Sequence, residues 1–208
     1  MKRLMSILFY MSGILTLCAP IARGQQRAGV GTWGFVTVRY DTRSPASIYT
    51  GYGWNAAFAM SGVTHNPRTG YAELVGGVGA VFRTRTSEHW VAIATAGTRD
   101  GSFAQVYWLP TVRMHGLTSR AQVKWTIPSS GSVAQKLSIS PLSVTLPLGH
   151  GLSGGVATDI SAAEGARTRI ATGLELRLRL PRAAVGVDAL REVKRDGSRL
   201  RLFFTSLF

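Results

Sequence analysis

The chain has 208 residues, with 24 lysines and arginines against 10 aspartates and glutamates, and a formal net charge of +14. Its length suits one domain with a sizeable core and is short for two. Cys18 is the single cysteine, so disulfides within the chain are excluded, and the export predicted below leaves no thiol for catalysis or metal binding.

The first 24 residues have the layout of a cleaved secretory signal peptide. A short basic head precedes an apolar run over 4–17, and a small-residue cleavage motif ends at Gly24. The run is shorter than the about 20 residues of a transmembrane helix. A bulky leucine directly before Cys18 departs from a lipoprotein signal. We therefore expect a signal peptide at 1–24 and one exported domain at 25–208.

Basic residues remain about twofold in excess after removal of this signal, which normally indicates a nucleic acid or an anionic membrane as partner. Export argues against nucleic acid. The basic residues are also dispersed at alternate positions, with no run of five or more.

Two-residue alternation of polar and apolar side chains dominates the exported domain. In 119–127, Val123, Trp125 and Ile127 share one face, while Arg120 and Lys124 share the other. The segment 167–180 alternates in the same way over its whole length. Such alternation predicts β-strands with one apolar and one charged face. A soluble β-sandwich and a transmembrane β-barrel both fit this pattern.

Strand length and aromatic placement favour the barrel. Several segments exceed the about 9–11 residues that cross a bilayer as a tilted strand. Aromatic residues near strand ends predict girdles at the two membrane interfaces: Trp33, Tyr40, Tyr71, Phe82, Trp90, Trp108 and Trp125. The predicted strands are 32–40, 50–62, 71–84, 88–97, 102–113, 117–127, 134–146, 150–160, 167–180, 183–192 and 198–208.

These segments number eleven, whereas single-chain bacterial barrels have even strand numbers. Longer and shorter connections alternate along the chain except at 41–49, which locates the miscount between Gln25 and Gly62. An additional strand at Ser47–Gly53 gives twelve, which we predict; ten or eight strands are the alternatives. Pro141 lies inside a strand segment, and the apolar parity changes after it, which predicts a bulge.

The C-terminal segment resembles the last strand of bacterial outer-membrane β-barrels. Counting back by twos from Phe208 gives Ser206, Phe204, Leu202 and Leu200. Alternating apolar residues with a terminal phenylalanine are similar to the assembly signal of that class, although Ser206 departs from it. The resemblance implies that Phe204 and Phe208 form an assembly signal. It also implies a Gram-negative outer membrane as location, and membrane lipid, lipopolysaccharide and the barrel assembly machinery as partners.

No catalytic, metal or cofactor site is predicted. The four histidines, His65, His89, His115 and His150, fall in or beside predicted connections at both barrel ends, without the convergence that a triad or metal site needs. The glycine-rich stretches 76–79 and 151–155 lack the lysine of a phosphate-binding loop. We expect no enzymatic activity.

Ten basic residues lie on the faces opposite the apolar ones. Because charge facing lipid costs about 2–4 kcal/mol at the bilayer midplane, we expect these side chains to line the lumen: Arg83, Arg120, Lys124, Lys136, Arg167, Arg169, Arg177, Arg179, Arg199 and Arg201. Glu73 and Glu175, in the same strands, cannot neutralise all ten.

Two functions follow from this basic face. The first is a narrow channel that passes or binds small anionic solutes, and its charge pattern resembles in outline the twelve-stranded channels for acidic sugars. The alternative is a structural or interaction barrel whose interior is plugged by its own side chains.

Overall fold

The computed structural model describes residues 31–43, 45–129, 133–194 and 197–208, so the predicted signal peptide lies outside the described residues. Twelve antiparallel strands close into one barrel. They are β1 (Thr32–Asp41), β2 (Ala46–Trp54), β3 (Ala57–Asn66), β4 (Tyr71–Arg83), β5 (Ser87–Thr98), β6 (Gly101–Met114), β7 (Leu117–Pro128), β8 (Lys136–Gly149), β9 (Leu152–Ala163), β10 (Arg169–Arg179), β11 (Ala183–Glu192) and β12 (Ser198–Leu207). No helix among the described residues is long and apolar enough to cross a membrane.

Each strand pairs with its neighbours in the chain, and β1 pairs with β12 to close the sheet, with Phe35 opposite Leu207. The prediction of twelve strands is confirmed. The additional strand predicted at Ser47–Gly53 is β2. The prediction of one strand over 50–62 was wrong, because a two-residue turn with Asn55 at a φ of 50° separates β2 from β3.

The barrel has two distinct ends. At the terminal rim, where β1 begins and β12 ends, the connections are two or three residues long. At the opposite rim most connections are longer, up to 129–135 between β7 and β8. The predicted alternation of connection lengths is therefore observed, with one exception at 99–100, which is a tight turn. The anomaly at 41–49 disappears because β2 begins at Ala46.

The outward side chains form an apolar surface. Leu74 and Val78 on β4 are 67% and 65% exposed, and Leu174 on β10 is 67% exposed. A soluble sandwich would bury such residues between its sheets, whereas a closed barrel with an apolar outer band fits a hydrocarbon environment. The closed topology and this surface exclude the sandwich.

The aromatic prediction holds for only part of its residues. Phe82, Trp108 and Trp125 are exposed on the outer face, as a girdle requires, and so is Trp54, which lies near the terminal rim. Trp33 and Trp90 were placed wrongly, because the strand register turns both rings into the interior, where they contact each other. Tyr71 also points inward and donates a hydrogen bond to Glu73.

The predicted bulge in β8 is confirmed. The pairing of β8 with β9 shifts register between Ile139 and Leu142. Before the shift Ser140 faces the interior, and after it Ser143 and Thr145 do. The bulge therefore keeps hydroxyl side chains directed inward on both sides of the register shift.

Close strand packing makes one glycine on β10 sensitive to substitution. A Cβ at Gly173 would overlap the carbonyl oxygen of Ala189 on β11. We expect Gly173→Ala to lower the free energy of unfolding by about 1–3 kcal/mol, because backbone must shift to admit the methyl group. Urea unfolding of the protein in lipid vesicles, followed by tryptophan fluorescence, measures this. Gly76→Ala is the control, since a Cβ there meets nothing within 4 Å; equal stability of the two variants would contradict the packing argument.

Candidate functional site

One half of the barrel interior is an apolar core. Trp33 and Phe35 on β1, Phe58 on β3 and Trp90 on β5 form a ring cluster with centroids 5.3–6.3 Å apart. Further buried apolar side chains extend it along β4, β5 and β6: Val75, Val81, Ala92, Ala94, Ala96 and Phe103. Because this core occupies much of the side formed by β1 to β6, most of the charged side chains of the interior lie on β7 to β12, although β1, β4 and β6 also contribute polar groups.

Four arginines gather near the terminal rim, and we call them the terminal basic cluster: Arg113 on β6, Arg120 on β7, and Arg177 and Arg179 on β10. Arg177 Nε donates to Glu175 Oε1 at 3.1 Å, and Arg120 Nη1 lies 3.9 Å from the same oxygen. Arg113, Arg177 and Arg179 all act electrostatically on Arg120. Glu88 also acts on Arg113, but Arg83 shares that carboxylate. Positive charge therefore remains in excess here.

A second group, the central network, comprises Arg39, Asp41, Ser140, Asp159, Asp188, Arg199 and Arg201. Arg201 Nη1 lies 2.7 Å from Asp159 Oδ2, and its Nε donates to Asp188 Oδ2 at 2.6 Å. Arg199 pairs with Asp159 and lies 3.5 Å from Asp41. Three guanidinium groups face three carboxylates, so the network is balanced in charge and ties β1, β8, β9, β11 and β12 together.

A third group lies toward the opposite rim around Glu73 of β4. Its carboxylate accepts hydrogen bonds from Tyr71, Gln105 and Lys124, the last at 3.2 Å. Lys124 also lies over the ring of Tyr107. Lys136 and Arg169 are close enough to interact electrostatically with each other, and Lys124 acts on Lys136 as well. Basic side chains thus exceed acidic ones at this level too.

The structure divides the ten predicted lumen residues among these groups. Arg120, Arg177 and Arg179 belong to the terminal basic cluster, and Arg199 and Arg201 to the central network. Lys124, Lys136 and Arg169 lie toward the opposite rim, and Arg83 pairs with Glu88 at 2.7 Å across β4 and β5. Arg167 was assigned wrongly to a strand face: a turn containing Gly165 at a φ of +70° delays the start of β10 to Arg169.

Sequence reasoning missed most of the acidic residues that pair with the basic side chains of the interior. It counted Glu73 and Glu175, whereas Asp41, Asp159 and Asp188 also point inward. Alternation could have revealed that Asp188 points inward. It lies on the same face of β11 as Gly186 and Leu190, and the other face of that strand is apolar. The pairing itself could not have been found, since Asp159 and Arg201 are on strands that are not adjacent.

The histidines do not converge. His115 and His150 are turn residues with φ values of 50° and 49°, while His65 and His89 lie on β3 and β5. Trp108 Nε1 donates to His89 Nδ1 at 3.3 Å. Within the described ranges no three His, Cys, Asp or Glu side chains are grouped to hold a metal ion.

The predicted assembly residues lie at the seam of the barrel. Phe204 is opposite Val38 of β1 and Val185 of β11, a register with outward parity, yet it is buried, at 6% exposure. Phe208 exchanges two backbone hydrogen bonds with Gly34 of β1. The last residue therefore completes the β1–β12 pairing at the terminal rim.

No family model and no curated protein matches the sequence. Among solved structures, the KdgM porin is similar with a TM-score of 0.57 at 8% identity, covering 84% of this chain and 99% of that one. The NanC porin is similar with a TM-score of 0.56 at 11% identity, covering 83% and 98%. At such identities the likeness concerns the fold: the chain has the closed antiparallel β-barrel fold of bacterial outer-membrane porin-like proteins.

Proposed function

We propose that this protein is an outer-membrane channel whose basic interior binds and passes small anionic solutes. The terminal basic cluster carries the proposal. Four guanidinium groups crowd one side of the interior. Glu175, Glu88 and Asp188 act on them, but Arg83 shares Glu88 and Arg201 pairs with Asp188, so positive charge stays in excess. In a low-dielectric wall such a cluster concentrates anions and opposes cations.

The arrangement of the interior supports a path along β7 to β12. Basic side chains exceed acidic ones near both rims, and the charge-balanced central network lies between them. An anion would thus meet positive charge on entering from either side. A solved structure of the KdgM porin holds it in complex with disordered oligogalacturonate, an anionic saccharide, which supports an acidic solute by analogy of fold alone.

The same proposal places the barrel in the membrane. Short turns face the periplasm in outer-membrane barrels, so the terminal rim is assigned to the periplasmic side and the opposite rim to the cell exterior. Membrane lipid and lipopolysaccharide then surround the apolar band, and the barrel assembly machinery inserts it. This function requires no cofactor and no catalytic residue.

Charge reversal inside the barrel tests the proposal. Purified protein in planar bilayers under a KCl gradient should show a reversal potential that indicates chloride preference, largest at low salt where screening is weak. Arg169→Glu with Arg179→Glu should move the reversal potential toward cation selectivity, because two positive charges near the two rims become negative. Arg191→Glu is the matched control, since Arg191 pairs with the outward-facing Thr172 on the barrel's outer surface. Conductance without charge preference would contradict the proposal.

A side-chain-plugged structural barrel is the second candidate. The central network favours it, because its contacts extend from β1 and β12 to β8 and β9 across the interior. Bilayers that stay silent with correctly folded protein, for every variant discussed below, would support this function instead.

A further inference from the structure

One contact spans the barrel interior between strands that are not neighbours. Arg39 on β1 and Ser140 on β8 are five strand positions apart around the wall. Arg39 Nη2 nevertheless donates to Ser140 Oγ at 2.8 Å, and its Nη1 lies 3.4 Å from the Ser140 carbonyl oxygen. The guanidinium group therefore lies across the side of the interior that the apolar core leaves to polar groups.

The β8 bulge supplies the acceptor for this contact. The register shift between Ile139 and Leu142 leaves Ser140 pointing inward. Its hydroxyl accepts from Arg201 Nη1 at 3.0 Å as well as from Arg39. Two guanidinium groups thus share one neutral hydroxyl, although a guanidinium group binds an anionic oxygen more strongly than a neutral one.

Arg39 is the least tightly held arginine of the central network. Its closest carboxylate oxygen, on Asp159, is 4.0 Å away, whereas Arg201 lies within 2.7 Å of the same oxygen. The side chain of Arg39 is 23% exposed against 1% for Arg201. When Arg39 moves, Asp159 still keeps Arg199 and Arg201 as partners. Displacement of Arg39 therefore leaves the acidic side of the network paired.

Resting on the proposed function, we infer that the Arg39–Ser140 contact is a latch that an oxyanion opens. A solute carboxylate or phosphate group takes the place of Ser140 as acceptor for the Arg39 guanidinium group. Arg39 then turns along the wall with the anion, which widens the path by the space that its guanidinium group occupied. Two oxygens of a carboxylate or of a phosphate match the two donors of the guanidinium fork, so the latch favours carboxylates and phosphates over halides.

Single-channel recording of the full mature chain tests the latch. Arg39→Ala and the size-matched Arg39→Met both remove the donors, and both should raise the open probability in KCl several-fold above that of the unmodified protein. Adding inorganic phosphate at constant ionic strength should raise the open probability of the unmodified protein and leave the two variants unchanged. Thr37→Ala is the control on the same strand, because its hydroxyl bonds to Thr205 on the adjacent β12.

The outcomes separate the latch from the channel proposal. If the Arg39 variants match the unmodified protein in open probability while chloride preference persists, the latch is wrong and the channel function stands. If the variants open more but show no anion preference, the latch stands and the selectivity proposal fails. Heat-modifiable electrophoretic mobility verifies folding of each variant, and Arg39→Lys, which retains a charged donor, should restore part of the closure. Silent bilayers for all folded variants would overturn both.

Discussion

Replacing Asp188 with alanine will lower the free energy of unfolding by about 3–5 kcal/mol, because it breaks a buried ion pair and leaves Arg201 with Asp159, a carboxylate that Arg199 already shares. Asp188 is fully buried on β11, and its carboxylate faces Arg201, which is itself 1% exposed. Without Asp188, the network keeps three arginines against Asp41 and Asp159. Urea unfolding in lipid vesicles, monitored by tryptophan fluorescence, measures the loss.

Two further variants make this test specific. Asp100→Ala removes an aspartate from the exposed turn between β5 and β6 and should change stability by no more than about 0.5 kcal/mol. Asp188→Ala combined with Arg201→Met removes both charges and should recover much of the lost stability, because the remaining Asp159 still pairs with Arg199. A single Asp188→Ala variant as stable as Asp100→Ala would show that the central network does not hold the barrel together.

The two-residue periodicity of the sequence predicted most of the strands that form the barrel wall, but few of the contacts inside the barrel. On β10, Glu175, Arg177 and Arg179 share the inward face that alternation assigned to them, because side chains on a strand can point only two ways. The same rule explains the error at 41–62. A turn needs only two residues, and Asn55, at a left-handed φ, falls on the small and polar face of the alternation, so the pattern continues through the turn.

The candidate site depends on contacts that sequence periodicity does not encode. Arg39 and Ser140 are 101 residues apart in the chain, and their contact follows from strand number, closure and the bulge together. Trp33 and Trp90 show the same limit, because an aromatic ring near a strand end suits a membrane interface and a packed interior equally well. The alternation of side chains along a strand assigns each ring to one of two faces. Which of these faces is inside is decided only when the sheet closes into a barrel.

Deleting Phe208 will lower the equilibrium constant for folding into lipid vesicles by more than about tenfold and will reduce the yield of folded barrel in cell envelopes. Gly34 N donates to the Phe208 carbonyl oxygen at 2.6 Å, and Phe208 N donates to the Gly34 carbonyl oxygen at 3.0 Å. The ring also covers Gly34, where a Cβ would lie 2.5 Å from it. Loss of two hydrogen bonds and a partly buried ring lowers the free energy of unfolding by a few kcal/mol. Each 1.4 kcal/mol lowers the equilibrium constant for folding tenfold.

Phe208→Ala separates closure of the seam from recognition during assembly. Alanine keeps both backbone hydrogen bonds with Gly34 and removes only the ring, so refolding into vesicles should suffer much less than in the deletion variant. If the terminal phenylalanine is also an assembly signal, Phe208→Ala should still accumulate poorly as heat-modifiable barrel in cell envelopes. Equal yields of Phe208→Ala and the unmodified protein in cells, with the deletion variant defective in both settings, would restrict Phe208 to closing the sheet between β1 and β12.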